Sequence, residues 1–412
     1  MSTAPNFADK GDERLLEDSS PKALLLGSLA RLRAGDLGMV PVIVGLIAIW
    51  IVFYSRNTKF MSPRNLVELS LDCSTIGMIS IGVVLVLLLG EIDLSIGSVS
   101  GVSGSILAVL LVYHGQPLAL SILAALAGGV AIGVLYGLLY TRFGVPSFVI
   151  TLAGLLAFLG VQLMVLGKNG TVNLPVNSKL LDFASYKFLT PTASYILAVV
   201  VGVLYFLARA RTIRNRVKAN LSAPSILSAG IRAALITAAI AVVAWDLNRD
   251  RGIGYMPLLW VFAIVMVDLL LRKTAWGRHV FAVGGNEEAA RRAGIAVNRV
   301  YISVFALCSA FAALGGVLAA ARLQSVAQTS GGADVNLMAI AAAVIGGTSL
   351  FGGRGSTYAA LFGMLVLQSI TSGLNLIHVD AEIRYMVTGA VLLLAVTIDS
   401  LSRKARTQSG RG

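Results

Sequence analysis

Long apolar stretches recur at residues 37–54, 66–89, 96–113, 118–140, 148–166, 195–208, 226–245, 256–271, 300–321, 337–351, 358–377 and 383–398, with short polar links between most of them. This recurrence restricts the fold more than any other feature. A helix crosses the bilayer core with ~20 apolar residues, so the pattern predicts an all-α polytopic membrane protein with about twelve transmembrane helices. Composition agrees: 57% of the 412 residues are apolar and 13% charged, against ~45–50% and ~25% in soluble domains. An ordinary soluble enzyme is excluded on that ground.

Charge supplies the orientation. The 33 Lys and Arg exceed the 20 Asp and Glu, for a net charge of +13. Placing the polar tail 1–36 in the cytoplasm puts the run Arg209, Arg211, Arg214, Arg216 and Lys218 on the same side. The loop 272–299 and the C-terminal Arg403, Lys404, Arg406 and Arg411 join it there. The positive-inside bias then predicts an inner-membrane, multi-pass chain with both termini cytoplasmic, although Arg56, Lys59, Arg64, Lys168, Lys179 and Lys187 land outside. The tail lacks the basic start, apolar centre and cleavage site of a signal peptide. The expected organisation is a cytoplasmic tail (1–36), a transmembrane domain (37–403) and a second cytoplasmic tail (404–412). Within the domain, a hairpin is expected at about 226–271, around Asp246, Arg249, Asp250 and Arg251. This distribution of charge excludes a nucleic-acid binder. Cys73 and Cys308 sit within apolar runs, and His114, His279 and His378 lie at different span ends. No metal site or catalytic cluster has ligand or triad spacing.

Glycine, 43 residues in all, is concentrated inside the apolar stretches. Gly128, Gly129, Gly133 and Gly137 share one helix face and predict close helix packing. Two glycine-bearing interruptions read as broken helices or re-entrant loops. In the first, Glu91, Asp93 and Ser95 follow Gly90. They either line a path through the membrane, where ionisable groups face a cavity or partner, or form a turn whose acids are solvated or cap the next helix. The second, 346–356, resembles the first in its setting and suggests an internal repeat. Gly347 and Gly352 have phosphate-loop spacing, but Gly353-Arg354 stands where Lys and Ser/Thr are required. The chain is therefore not expected to bind ATP.

The loop 277–295 carries the most specific pattern. Asn286 is placed to cap a short helix, Glu287 and Glu288 complement the positive end of its dipole, Arg291 and Arg292 suit its other end, and Gly294 stops it. Such a helix is either a solvated surface element or a docking element for a soluble partner.

The sequence Gly285-Asn286-Glu287-Glu288-Ala289-Ala290 with Gly294 resembles the coupling-helix motif of permease subunits in bacterial ABC importers. Together with Glu91 to Ser98, Val145 to Gly154 and Val344 to Leu350, it resembles the ribose/xylose/galactose permease family over residues 37–403. Glu91 and the hairpin around Asp246–Arg251 are similar to the D-xylose permease branch. The resemblance implies a ten-span permease core plus an extra hairpin, and a subunit that translocates a monosaccharide, D-xylose or a related pentose, without being an enzyme itself. It also implies a second copy of the chain, a cytoplasmic ATPase subunit that uses ATP and Mg, and a periplasmic sugar-binding protein. The coupling helix would comprise Gly285, Asn286, Glu287, Glu288, Ala289, Ala290 and Gly294. Candidates for the translocation path are Glu91, Asp93, Ser95, Gln162, Asn336, Gln368 and Asn375; the four amides read equally as interhelical hydrogen bonds. The competing class is an ion-coupled secondary sugar transporter, which requires carboxylates within spans. Asp72 and Asp268 are the only ones well inside long apolar stretches.

Overall fold

The computed structural model describes residues 40–380, 382–384, 386–391, 393, 394 and 397. The tails 1–36 and 404–412 lie outside these residues, as does part of the stretch at 383–398, in which 382–384 and 386–391 are helical. In chain order the helices are α1 (Val40–Arg56), α2 (Pro63–Leu88), α3 (Ile96–Val112), α4 (Leu118–Phe143), α5 (Ser147–Leu166), α6 (Pro191–Lys218) and α7 (Ile226–Leu247). They continue as α8 (Tyr255–Lys273), α9 (Ala275–Gly285), α10 (Glu287–Arg292), α11 (Val297–Leu323), α12 (Ala333–Ile345) and α13 (Tyr358–Leu376). Among the described residues α2, α4, α5, α6, α7, α8, α11 and α13 are long and apolar enough to cross a membrane, while α1, α3 and α12 are apolar but shorter. Strands β1 (Thr171–Asn173) and β2 (Ser325–Ala327) form one antiparallel pair.

Local chemistry sets the helix ends. Ser62 accepts a hydrogen bond from the Asn65 N–H ahead of Pro63, and Thr190 does the same for Ala193 ahead of Pro191. Each is a capping side chain followed by a residue whose missing N–H is no loss in the first turn. The basic run Arg209 to Lys218, which follows the apolar stretch 195–208, continues α6 as helix.

The chain divides into two compact units. In the larger, α2 is the axis: from Val67 to Leu88 it is buried except for Glu68, Ser70, Asp72 and Ile76. Helix α11 packs across α2, α3 and α4. Gly129, Gly133 and Gly137 of α4 bring it against Ser309, Phe305 and Ile302 of α11, the close packing expected of that face. At Gly82 of α2 an added Cβ would lie 2.7 Å from the Cys308 carbonyl. In lipid, such contact replaces the hydrophobic drive that joins helices in water. The opposite face of α4 presents Leu120, Leu123, Leu135 and Leu138, a surface that suits acyl chains.

The smaller unit, residues 188–253, holds α6 and α7. They pack along each other, with the Thr237 side chain filling the space over Gly202. The hairpin expected at 226–271 is thus divided, because α8 belongs to the larger unit. There Trp260, Ile264 and Val267 are buried, and the Trp260 indole occupies the space over Gly77 of α2. The loop 272–299 holds two helices rather than one. Trp276, Val280 and Val283 form the inward stripe of α9, and the Trp276 indole N–H donates to Ser303 of α11 at 2.8 Å.

Helices α3 and α12 meet at their N-terminal ends. The Gly97 N–H donates to Asn336 Oδ1 at 2.6 Å, and the Asn336 amide donates to the Leu94 carbonyl. The segment between α2 and α3 runs deep: Asp93 lies 3.8 Å from the Cys308 thiol, and Cys308 is ~16 Å from the start of α11 at 1.5 Å rise per residue.

Candidate functional site

Residues 286–295 fold as their local chemistry dictates. Asn286 Oδ1 accepts the Ala289 N–H at 2.8 Å. At the other end the Gly294 N–H reaches the Arg291 carbonyl and the Ile295 N–H reaches the Ala290 carbonyl, both at 3.1 Å, with Gly294 at φ +81°. That pairing closes a helix when the residue after the cap is left-handed, and glycine takes that conformation without strain. Glu287 pairs with Arg291 at 2.7 Å and Glu288 with Arg292. Gly285, Glu288, Ala289 and Gly294 are exposed, and Ala290 is the one buried residue of α10. Exposed ion pairs contribute little to stability, so the outer face of α10 is available for contact.

Its inner side is tied to the membrane helices. Tyr301 of α11 donates its hydroxyl to Glu287 Oε2 at 3.3 Å. The Tyr301 ring lies 4.5 Å from that of Tyr140 on α4, and the Tyr140 hydroxyl donates to Glu91 Oε1 at 2.7 Å. The Ser147 hydroxyl, in the first turn of α5, donates to the other oxygen of Glu91. Glu91, Tyr140, Glu287 and Tyr301 line a cleft of about 470 Å³ with Arg291 and Asn298. Glu91 therefore joins the ends of α4 and α5 to the loop after α2, and through two aromatic rings to α10.

The two glycine interruptions come together against α9. The Gly353 N–H donates to the Leu88 carbonyl at 2.9 Å. Gly90 and Gly352 both adopt φ +81°, and a Cβ at Gly352 would lie 2.6 Å from the Gly284 carbonyl and 2.9 Å from the Gly90 nitrogen. Only glycine permits three backbones at that spacing.

The other path candidates separate. Asp93 and Ser95 are buried; Asp93 Oδ1 accepts the Ser95 N–H at 2.8 Å and its hydroxyl at 2.7 Å, closing the turn into α3. Gln162 is fully buried and its amide nitrogen donates to the carbonyls of Ala327 and Ser330 at 3.1 and 2.8 Å. Asn336 is bound to the start of α3 as described. Asn375 is exposed and accepts from Arg384. Gln368 reaches Asp72 at 3.5 Å, where the structure adds a group that sequence reasoning missed. Arg322, at the far end of α11, bonds Asp72 at 3.0 Å and also pairs with Glu68. The spacing of Glu68 and Asp72 marks them as one face of α2; nothing local reveals Arg322 as their partner. Asp268 pairs with Arg272 at 2.8 Å. No group of three His, Cys, Asp or Glu side chains suited to a metal occurs among the described residues. Tyr140, Ser147 and Tyr301 also escaped sequence reasoning, although tyrosines near span ends are a weak signal of an interface.

The family described as branched-chain amino acid transport system / permease component matches residues 65–396. The chain is 34% identical to the Escherichia coli K12 xylose transport system permease protein XylH, over 92% of this chain and 95% of that one. It is 32% identical to the Bacillus subtilis ribose import permease protein RbsC, over 86% and 91%. It is 29% identical to the Rhizobium meliloti fructose import permease protein FrcC, over 95% of each. No solved structure matches. A polytopic helical body, a short capped helix at its edge and similarity over nearly the whole length to permeases for three sugars agree: this chain belongs to the transport-system permease family that includes those sugar permeases.

Proposed function

We propose that this chain is the membrane permease of an ATP-driven importer for a pentose, D-xylose or a near relative, working as a pair of identical copies. Helix α10 and the end of α9 dock on an ATPase subunit, which binds ATP and Mg; this chain supplies no catalytic group and no cofactor. A sugar-binding protein docks on the opposite side. The ATPase side is the cytoplasm, which puts both termini there. In this reading the membrane part has twelve spans, ten of them a core, and the other two are α6 and α7. The glycine-bearing segments 90–95 and 346–356 are broken or re-entrant loops. Irregular backbone at such depth is tolerated where protein buries it or water reaches it.

The observation that carries the reading is the linkage of α10, exposed on one face, to Glu91 through Tyr301 and Tyr140. Docking forces on α10 reach the loop that leads into α3, while Gly284 of α9 touches the loop that follows α12. The α9–α10 segment thereby contacts both interruptions. An ion-coupled mechanism is less well supported. It needs a carboxylate in a span free to change charge, and Asp72 is held by Arg322.

Cysteine at Glu288 in the assembled transporter tests the docking. A bifunctional thiol reagent is expected to join it to a cysteine on the ATPase surface, and Glu288→Lys is expected to release ATP hydrolysis from transport while the chain still inserts. Normal transport by Glu288→Lys together with absence of the cross-link would refute the docking role.

A further inference from the structure

Resting on the permease reading, we propose that the cavity between α2, α3, α11, β2 and the start of α12 is a transient binding site for a neutral monosaccharide, with Asp334 as its principal hydrogen-bond acceptor. The cavity measures about 330 Å³, and its walls include Thr75, Ser100, Gly101, Ala319, Ser330 and Asp334. That is the lower end of the size range of small-molecule sites, suited to one sugar ring. Hydroxyl and carbonyl groups alternate with glycine, alanine and isoleucine surface, a match for a ring that presents hydroxyls at its edge and C–H groups on its faces.

No basic side chain lines this cavity, and its one charged group is a carboxylate. A phosphorylated or acidic sugar would meet repulsion there without a compensating cation. Asp334 makes no hydrogen bond or ion pair with any described residue, which leaves both of its oxygens for adjacent hydroxyls.

The approach to the cavity is polar on one side. Glu68, Asp72 and Ile76 are the partly open stripe on α2, Ile76 lines the cavity, and Asp72 is bonded to Arg322 and Gln368. Ionisable groups in a span turn toward water or a cavity, so the stripe marks the wetted approach. The floor is the junction of α3 and α12, where Gly97 meets the carbonyls of Gly331 and Gly332. A few neutral hydrogen bonds and one carboxylate hold a sugar weakly enough to let it leave, as a conducting path requires.

The test uses the complete transporter in proteoliposomes. Ala319→Cys places one reactive thiol on the cavity wall, since Cys73 and Cys308 are both buried. D-Xylose in excess is expected to slow its modification by a methanethiosulfonate reagent at least about threefold, whereas sucrose, too large for the space, leaves the rate unchanged. Ala319→Leu, which fills the cavity, and Asp334→Asn are each expected to lower ATP-driven xylose uptake by about fivefold or more, with the ATPase still bound. Equal labelling in xylose and sucrose, or full uptake by both variants, overturns the site. ATP-driven uptake by the unaltered complex is read in parallel, and its absence would instead overturn the permease reading.

Discussion

Tyr301 of α11 donates its hydroxyl to Glu287 of α10 at 3.3 Å while its ring lies 4.5 Å from that of Tyr140. Since Tyr140 holds Glu91 in turn, these two rings are a material link between an exposed helix and the loop entering α3. A rotation of α10 cannot leave Glu91 unaffected without breaking a hydrogen bond or separating the two tilted rings.

Tyr301→Phe keeps the ring and removes only the hydroxyl. One hydrogen bond to a carboxylate is worth ~1.5–3 kcal/mol, and its loss is expected to lower uptake by about tenfold with membrane abundance unchanged. Uptake equal to that of the unaltered chain would mean that the link carries no force. Tyr301→Ala, which also removes the ring contact, is expected to fall further.

Gly352→Ala and Gly347→Ala separate clash from backbone strain. Both glycines have positive φ, but Gly347 has open space around it and Gly352 has Gly284 and Gly90 within 3 Å of an added Cβ. Strain alone costs about 1 kcal/mol. The thermal midpoint of the purified protein is therefore expected to drop modestly for Gly347→Ala and severely for Gly352→Ala. The reverse order would contradict the three-backbone contact.

Arg322→Gln removes the cation that Glu68 and Asp72 share. The side chains are 21% to 40% exposed, so the loss is expected to be smaller than for a fully buried pair. Asp72→Asn in the Arg322→Gln background is expected to recover part of the lost stability. Additive effects in this double-mutant cycle, measured by thermal midpoint, would show that the two side chains do not interact.

Asn336→Ala removes both hydrogen bonds between α12 and the start of α3, leaving the buried Gly97 N–H unpaired. An unsatisfied buried group costs ~1–3 kcal/mol. A clear loss of thermal stability is expected, and partial retention in Asn336→Asp, which keeps an acceptor for Gly97 but no donor for Leu94. Full stability of Asn336→Ala would contradict the assignment.

What the sequence made legible was local. All the signals of α10, from Asn286 to Gly294, lie within its own turns, and the glycine face of α4 follows from spacing alone. The partner of that face did not, nor did the placement of α8. Helices α7 and α8 are alike in apolarity, and their separation depends on which tight contact each makes: Gly202 with Thr237 in one unit, Gly77 with Trp260 in the other. The bond from Arg322 to Asp72 spans 250 residues of chain, so Asp72 read as a lone carboxylate. Gln162 and Asn336 were legible as polar side chains near spans, but their hydrogen bonds to Ser330, Leu94 and Gly97 depend on backbone that only the folded chain brings near.

The central claim is that ATP hydrolysed by a partner moves sugar through this chain. The direct measurement is uptake of labelled D-xylose by proteoliposomes containing this chain, its ATPase and its binding protein, with ATP present or absent and with an imposed proton gradient as the alternative drive. Uptake that needs ATP and the binding protein and ignores the gradient is the predicted result. Uptake driven by the gradient without ATP would contradict it.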